Sequence, residues 1–160
     1  MIRTVRDEDC QAITDIYNYY VVNSIATFDL QQISEQQMLQ NIRQISAAYP
    51  YYVYEESGTV AGYCYAHSWK TRKACQLTAE TTVYISPLHT GKGIGKALME
   101  KLIDECKNRK LHALIACITA ENTTSCILHE KLGFKKVSSF QEVAFKLGQS
   151  LGVSDYELLL

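Results

Sequence analysis

Apolar and polar positions recur along this chain with two periods, and the switch between the periods marks its elements. Residues 2–6 alternate weakly and predict a short strand. Ile13, Ile16, Tyr17, Tyr20 and Val21 then recur at helical spacing and define one apolar face, with Asp7 placed to cap that helix. Residues 23–33 lack a period and read as a loop. Ser34 to Gln37 has the form of a capping box, and Met38, Ile42 and Ile45 mark a second amphipathic helix that stops before Pro50. Tyr51 to Glu55 and Thr59 to His67 are β-rich runs around a Ser57-Gly58 turn, so they predict a hairpin.

The second half alternates the two periods. After a polar, basic loop at 68–76, Leu77 to Ser86 reads as a long strand ended by Pro87. Ile94, Ala97, Leu98, Leu102, Ile103 and Cys106 line one helix face over three turns. His112 to Thr119 is another apolar strand. Asn122 is placed to cap a short helix with Leu128 and Leu132 inside, Gly133 supplies a left-handed C-terminal position, and Phe134 packs back on the last turn. Phe134 to Leu147 and Asp155 to Leu160 read as final strands. A hairpin-rich first half joined to βαβ crossovers predicts an α/β (α+β) protein with helices packed on a mixed sheet, in one domain over 1–160.

Composition narrows the possible functions. A chain of 160 residues buries roughly 70% of its unfolded surface without a disulfide or metal staple. The net charge of −1 gives no basic excess for nucleic acid or an anionic membrane. No apolar run approaches ~18 residues, and the first residues carry charge without an apolar leader segment. Cys10, Cys64, Cys75, Cys106, Cys117 and Cys126 form no C-x-x-C pair, and no histidine stands at metal-ligand spacing. They read as reduced structural thiols of a cytoplasmic protein with no metal.

The candidate chemistry centres on His89-Thr-Gly-Lys-Gly-Ile-Gly-Lys-Ala-Leu98. Three glycines at alternate positions precede a helix, where free backbone amides can hold a phosphate. It is not a Walker A loop: Thr90 stands where the first glycine belongs, and Ala97 follows Lys96. Nor is G-x-G-x-G in mid-chain a Rossmann fingerprint. Glu80 is a lone carboxylate inside the strand upstream. On the residues alone it is equally a base and a solvated strand carboxylate.

The glycine run resembles the [QR]-x-x-G-x-[GA] acyl-CoA loop of the GNAT N-acetyltransferases, and the element order is similar to theirs. Within that superfamily the chain resembles the phosphinothricin and methionine sulfoximine acetyltransferases. The matching segments are Ala26 to Asp29, Tyr49-Pro50, Trp69 to Arg72, Glu80 to Ile85, the glycine run, and Asn122 to Phe134. The resemblance implies a mostly antiparallel mixed sheet flanked by about four helices, acetyl-CoA as co-substrate, and a homodimer. It places Val83, Tyr84 and Ile85 along the pantetheine arm, and Gly91, Lys92, Gly93, Ile94, Gly95 and Lys96 at the pyrophosphate. Asn122 and Ser125, at the start of the following helix, join the cofactor site.

For catalysis the resemblance favours Glu80 as general base, directly or through a water, and His129 as candidate acid for the leaving thiolate. On the acceptor side it implies Phe28 against the aliphatic stem, Arg72 as a carboxylate or phosphinate clamp, and Cys75 nearby. Departures concentrate there. His89 or Thr90 stands for the usual Gln or Arg, Cys75 for an aromatic, and Leu77 for a frequent Trp. The tail motif K-x-G-x-W-x-D survives only as Lys146 and Gly148, with Ser150 and Gly152 replacing its Trp and Asp. The expected activity is acetylation of a small amino-acid-like amine. The alternatives are a protein or peptide N-acetyltransferase and a non-catalytic acetyl-CoA-binding module.

Overall fold

A computed structural model describes residues 1–160. In chain order it contains β1 (Ile2–Thr4), α1 (Cys10–Asn23), α2 (Glu35–Ser46), β2 (Tyr51–Glu56), β3 (Thr59–Ser68), β4 (Thr78–Ile85), α3 (Ile94–Asn108), β5 (Ala113–Thr119), α4 (Thr123–Lys131), β6 (Lys135–Lys146) and β7 (Gln149–Leu159). All strands join one sheet in the order β1-β2-β3-β4-β5-β7-β6. Only the β4–β5 pair is parallel, as a crossover through α3 requires.

Strand alternation divides the core between the two faces of the sheet. Tyr51, Val53 and Tyr63 point to the face that packs Ile13, Ile16, Met38 and Ile42 of α1 and α2. Tyr52, Cys64, Ala66, Ala79 and Leu114 point to the other, against Ile94, Leu98, Met99, Leu102 and Cys106 of α3. Ser34 caps α2 with the predicted reciprocal box: its hydroxyl accepts from the Gln37 amide, and the Gln37 side chain reaches the Ser34 amide. The Gly133 turn also forms as expected, at φ +93°, with the Phe134 amide donating to the His129 carbonyl at 3.0 Å.

Three expectations change. Asp7 does not cap α1; its carboxylate takes Arg43 at 2.7 Å, and a short 3₁₀ turn at 7–9 precedes the helix. The buried acid of that turn is Asp9, which accepts from two guanidinium nitrogens of Arg3 and from the Arg6 amide, each at 2.8 Å. Leu128 and Leu132 are only half-buried, and the residue of α4 that is buried is His129. The last strand begins at Gln149 rather than Asp155, because Leu147 and Gly148 adopt φ +50° and +74° and close a tight hairpin. Gly152 lies inside it, where a Cβ would stand 2.5 Å from the Phe140 carbonyl oxygen.

Candidate active site

The sheet opens at its centre. Pairing between β4 and β5 ends at Glu80 and Ile115. Beyond that point β4 stays paired with β3 as far as Ile85, and β5 stays paired with β7 as far as Thr119. The strands therefore diverge like the arms of a V, and one backbone edge of Thr81 to Ile85 lacks a strand partner. A cleft of about 680 Å³ fills the V. Its wall brings together Phe28, Glu80, Val83, Tyr84, Ile85, Gly91, Gly93, Ile94, Gly95, Lys96, Asn122, Ser125 and His129.

The glycine run forms the cradle at one end. Gly91 and Gly93 have φ +76° and +77°, a conformation that opposes any side chain, and open space surrounds both. The amides of residues 91–96 donate to no group of the protein, and Ala97 is the first whose amide closes a helical bond, to Gly93 at 3.1 Å. Six consecutive unpaired donors at the start of a 15-residue helix suit a phosphate. Lys96 lies on this wall; the Lys92 side chain does not. Lys92 Nζ is held by Glu56 at 3.1 Å, and His89 Nε2 faces the same carboxylate at 3.4 Å. His89 Nδ1 is buried without a partner, on the cleft wall.

Glu80 sits where the V opens and is half-buried. Burial is the first influence on it and raises its pKa; His67 opposes this, and Asp155 adds to it. Cys117, on the facing arm, is the one thiol in the wall. Burial first, then the Asp155 and Glu80 carboxylates, push that thiol up to about 12.

His129 is 3% exposed. Its Nδ1 lies 2.8 Å from the Ser125 carbonyl, which can only accept, so Nδ1 carries the proton. Burial lowers its pKa, and the Ser125 bond only partly offsets that. The resting imidazole is therefore neutral, with a lone pair on Nε2. Asn122 caps α4 as predicted, accepting from the Ser125 amide at 3.3 Å.

The loop at 24–29 supplies a further part of the wall, including Phe28. It has no regular structure, yet three elements tie it down. Thr119 Oγ1 of β5 donates to the Ile25 carbonyl at 2.6 Å, and Tyr17 of α1 donates to Asp29. The third tie is Lys146, at the end of β6. Its ammonium is buried and donates to the Thr27 and Tyr20 carbonyls at 2.7 and 3.3 Å. Arg72 and Cys75 lie apart from this arrangement. Neither lines the cleft, and Arg72 is exposed.

Comparison with known proteins settles the family. The acetyltransferase (GNAT) domain model matches residues 2–151. The chain belongs to the GNAT acetyltransferase family. It is 35% identical to an L-methionine sulfoximine/L-methionine sulfone acetyltransferase of Salmonella typhimurium, over 99% of this chain and 94% of the relative. An acetyltransferase structure from Salmonella typhimurium, solved with its cofactor acetyl-CoA, superposes with a TM-score of 0.97 at 34% identity, covering 100% of this chain and 93% of that one. A phosphinothricin acetyltransferase from Sinorhizobium meliloti, in complex with acetyl-CoA, gives 0.97 and 34%, covering 100% and 88%. The mixed sheet with its flanking helices is thus the GNAT fold, and the protein is an acetyltransferase.

Within this GNAT domain, the roles of four residues escaped the sequence reading. Thr119 and Lys146 act on main-chain oxygens distant in sequence; Thr119 belongs to no motif, and the tail motif that contains Lys146 does not indicate its contact. Cys117 is an ordinary apolar-strand residue until β5 is set against β4. His67 was detectable in principle: antiparallel register in the β3–β4 pair sets it directly opposite Glu80.

Proposed function

We propose that this acetyltransferase takes its acetyl group from acetyl-CoA and delivers it to the amine of a small amino-acid-like acceptor, of the phosphinothricin or methionine sulfoximine type. The observation that carries the reading is the placement of Glu80. A half-buried carboxylate of raised pKa stands at the apex of a cleft whose far end is a row of six free amides. The open glycine cradle fits a pyrophosphate, and the edge of Val83 to Ile85, which no strand covers, fits the amide-bearing pantetheine arm. Phe28 faces the acceptor. The names of the relatives supply the acceptor class.

In this mechanism Glu80 takes a proton from the acceptor ammonium, directly or through a water. The freed lone pair attacks the thioester carbonyl carbon. A C–N bond forms, the C–S bond breaks, the acylated nitrogen gives its second proton to solvent, and the leaving thiolate takes a proton from solvent. Direct transfer fits because Cys117 stays a thiol at neutral pH and offers no nucleophile for an acyl-enzyme. His129 holds no spare proton in its resting form, so the mechanism does not use it as the acid; it shapes the wall. With Arg72 and Cys75 outside the wall, neither is assigned to the acceptor.

Two further features complete the reading. β6 forms the outer edge of the sheet, yet Val137, Phe140, Val143 and Phe145 on it are all exposed. An edge strand with this much apolar surface fits the contact of a homodimer. The six free thiols fit a reducing cytoplasm, and no helix is long and apolar enough to cross a membrane.

Release of CoA thiol from acetyl-CoA, measured with L-methionine sulfone, L-methionine sulfoximine and phosphinothricin, tests the proposal. Turnover with at least one acceptor is expected. Its absence with all three, while acetyl-CoA still binds, overturns the acceptor class.

A further inference from the structure

We infer that His67 is a positioning residue for Glu80: it holds the carboxylate in its ionised form and thereby sets the pH at which the enzyme works. The inference rests on the proposed role of Glu80 as base. His67 and Glu80 are directly opposed across the β3–β4 pair, and His67 Nε2 lies 4.0 Å from Glu80 Oε1. The ring is not free to swing away, because Nδ1 lies 3.1 Å from the Ser68 carbonyl. A carbonyl only accepts, so Nδ1 carries a proton, and Nε2 is the atom that faces the base.

The surroundings of Glu80 leave this task to His67 alone. From β7, Asp155 adds a second negative charge, with the Ser138 hydroxyl of β6 bonded to it at 2.7 Å. From β5, the Cys117 thiol is pushed up to about 12 and brings no charge. From β3, the Tyr65 phenol is raised by burial and stays neutral. No lysine or arginine acts on Glu80. Among these neighbours His67, when protonated, is the one group that favours the ionised carboxyl, at 4.0 Å. The side chains of both residues are about one-third exposed, so a proton taken up by Glu80 leaves directly to solvent.

The test compares His67→Gln, which keeps size and polarity without a titrating charge, with His67→Lys, which carries a permanent one. The probes are acetyl-CoA and L-methionine sulfone. In His67→Gln the acid limb of kcat/KM is expected to move up by about one pH unit, with the rate on the plateau above it changed less than about twofold. His67→Lys returns the limb to the wild-type position or below. The Glu80 carboxyl is followed directly by its ¹³C resonance, which must move with the kinetic limb. An unchanged carboxyl titration in His67→Gln overturns the pairing, whatever the activity. Should Glu80→Gln keep full activity, the base assignment fails instead, and the resonance still reports whether His67 governs the carboxylate.

Discussion

Glu80 carries opposing demands in one side chain. Folding buries the carboxylate, and burial raises its pKa. The acid limb of kcat/KM is therefore expected above the ordinary glutamate value of about 4.3. Replacing the carboxylate by Glu80→Gln is expected to lower kcat/KM by about 10²–10⁴-fold while acetyl-CoA binding, read by calorimetry, is retained. The same substitution is expected to raise the melting temperature at neutral pH. A raised folded pKa means that the folded state holds the proton more tightly than the unfolded one. The stability this contributes is complete below the unfolded pKa and is lost as pH rises through the folded pKa. Glutamine mimics the protonated form at every pH, so the gain should vanish in acid. Melting curves of both proteins across pH check the crossing. At this scale Glu80 was legible, because an isolated carboxylate in an apolar strand is conspicuous. The resting state of His129 was not, since it follows from a bond to the Ser125 carbonyl one helical turn away.

The glycine run shows how an element end becomes a site. Its φ of +77° makes Gly93 the last residue before α3, and a methyl group there is opposed by about 1 kcal/mol of backbone strain rather than by any neighbour. Gly93→Ala should therefore leave helix content unchanged in circular dichroism but weaken acetyl-CoA binding about tenfold, because the amides lose their common direction. The opposite wall behaves differently. The loop at 24–29 owes its shape to side chains from three other elements, and Lys146 is the most consequential of them. Burial lowers its pKa, and no carboxylate bonds to its ammonium. Removing it in Lys146→Met leaves the Thr27 carbonyl without its donor, at about 1–3 kcal/mol, while the Tyr20 carbonyl keeps the Ser24 amide at 3.2 Å. The expected result is a higher KM for the acceptor with little change in that for acetyl-CoA, since the cradle lies on α3. An equal rise in both constants would contradict that division. Strong local signals such as the capping box and the glycines were legible, whereas ties between residues 119 and 25, or 146 and 27, are set only by the tertiary fold.

Over the whole molecule, the sheet order decides what is exposed. β7 inserts between β5 and β6, so β6 becomes the edge, and nothing local in the sequence announces that placement. Read alone, Phe134 to Leu147 looks like a strand to be covered. In the fold, Val143 and Phe145 remain 57% and 68% exposed. In the proposed homodimer a second copy of the chain covers this edge by two-fold symmetry, and each substitution then acts twice. Fully burying a Val or Phe side chain contributes about 1.5–3 kcal/mol. Lys at both positions removes four such contributions per dimer and sets like charges against each other, which corresponds to at least ~10³-fold in the dissociation constant. Sedimentation equilibrium should show twice the 18.1 kDa chain mass for the wild type and the single mass for Val143→Lys/Phe145→Lys. Lys146 lies between Phe145 and the hairpin turn, so the edge and the acceptor-side wall share one strand end. The monomer should therefore also show a raised acceptor KM at unchanged acetyl-CoA affinity. A wild type that sediments as a monomer removes the dimer, and a monomeric variant with wild-type acceptor KM removes the link between edge and wall.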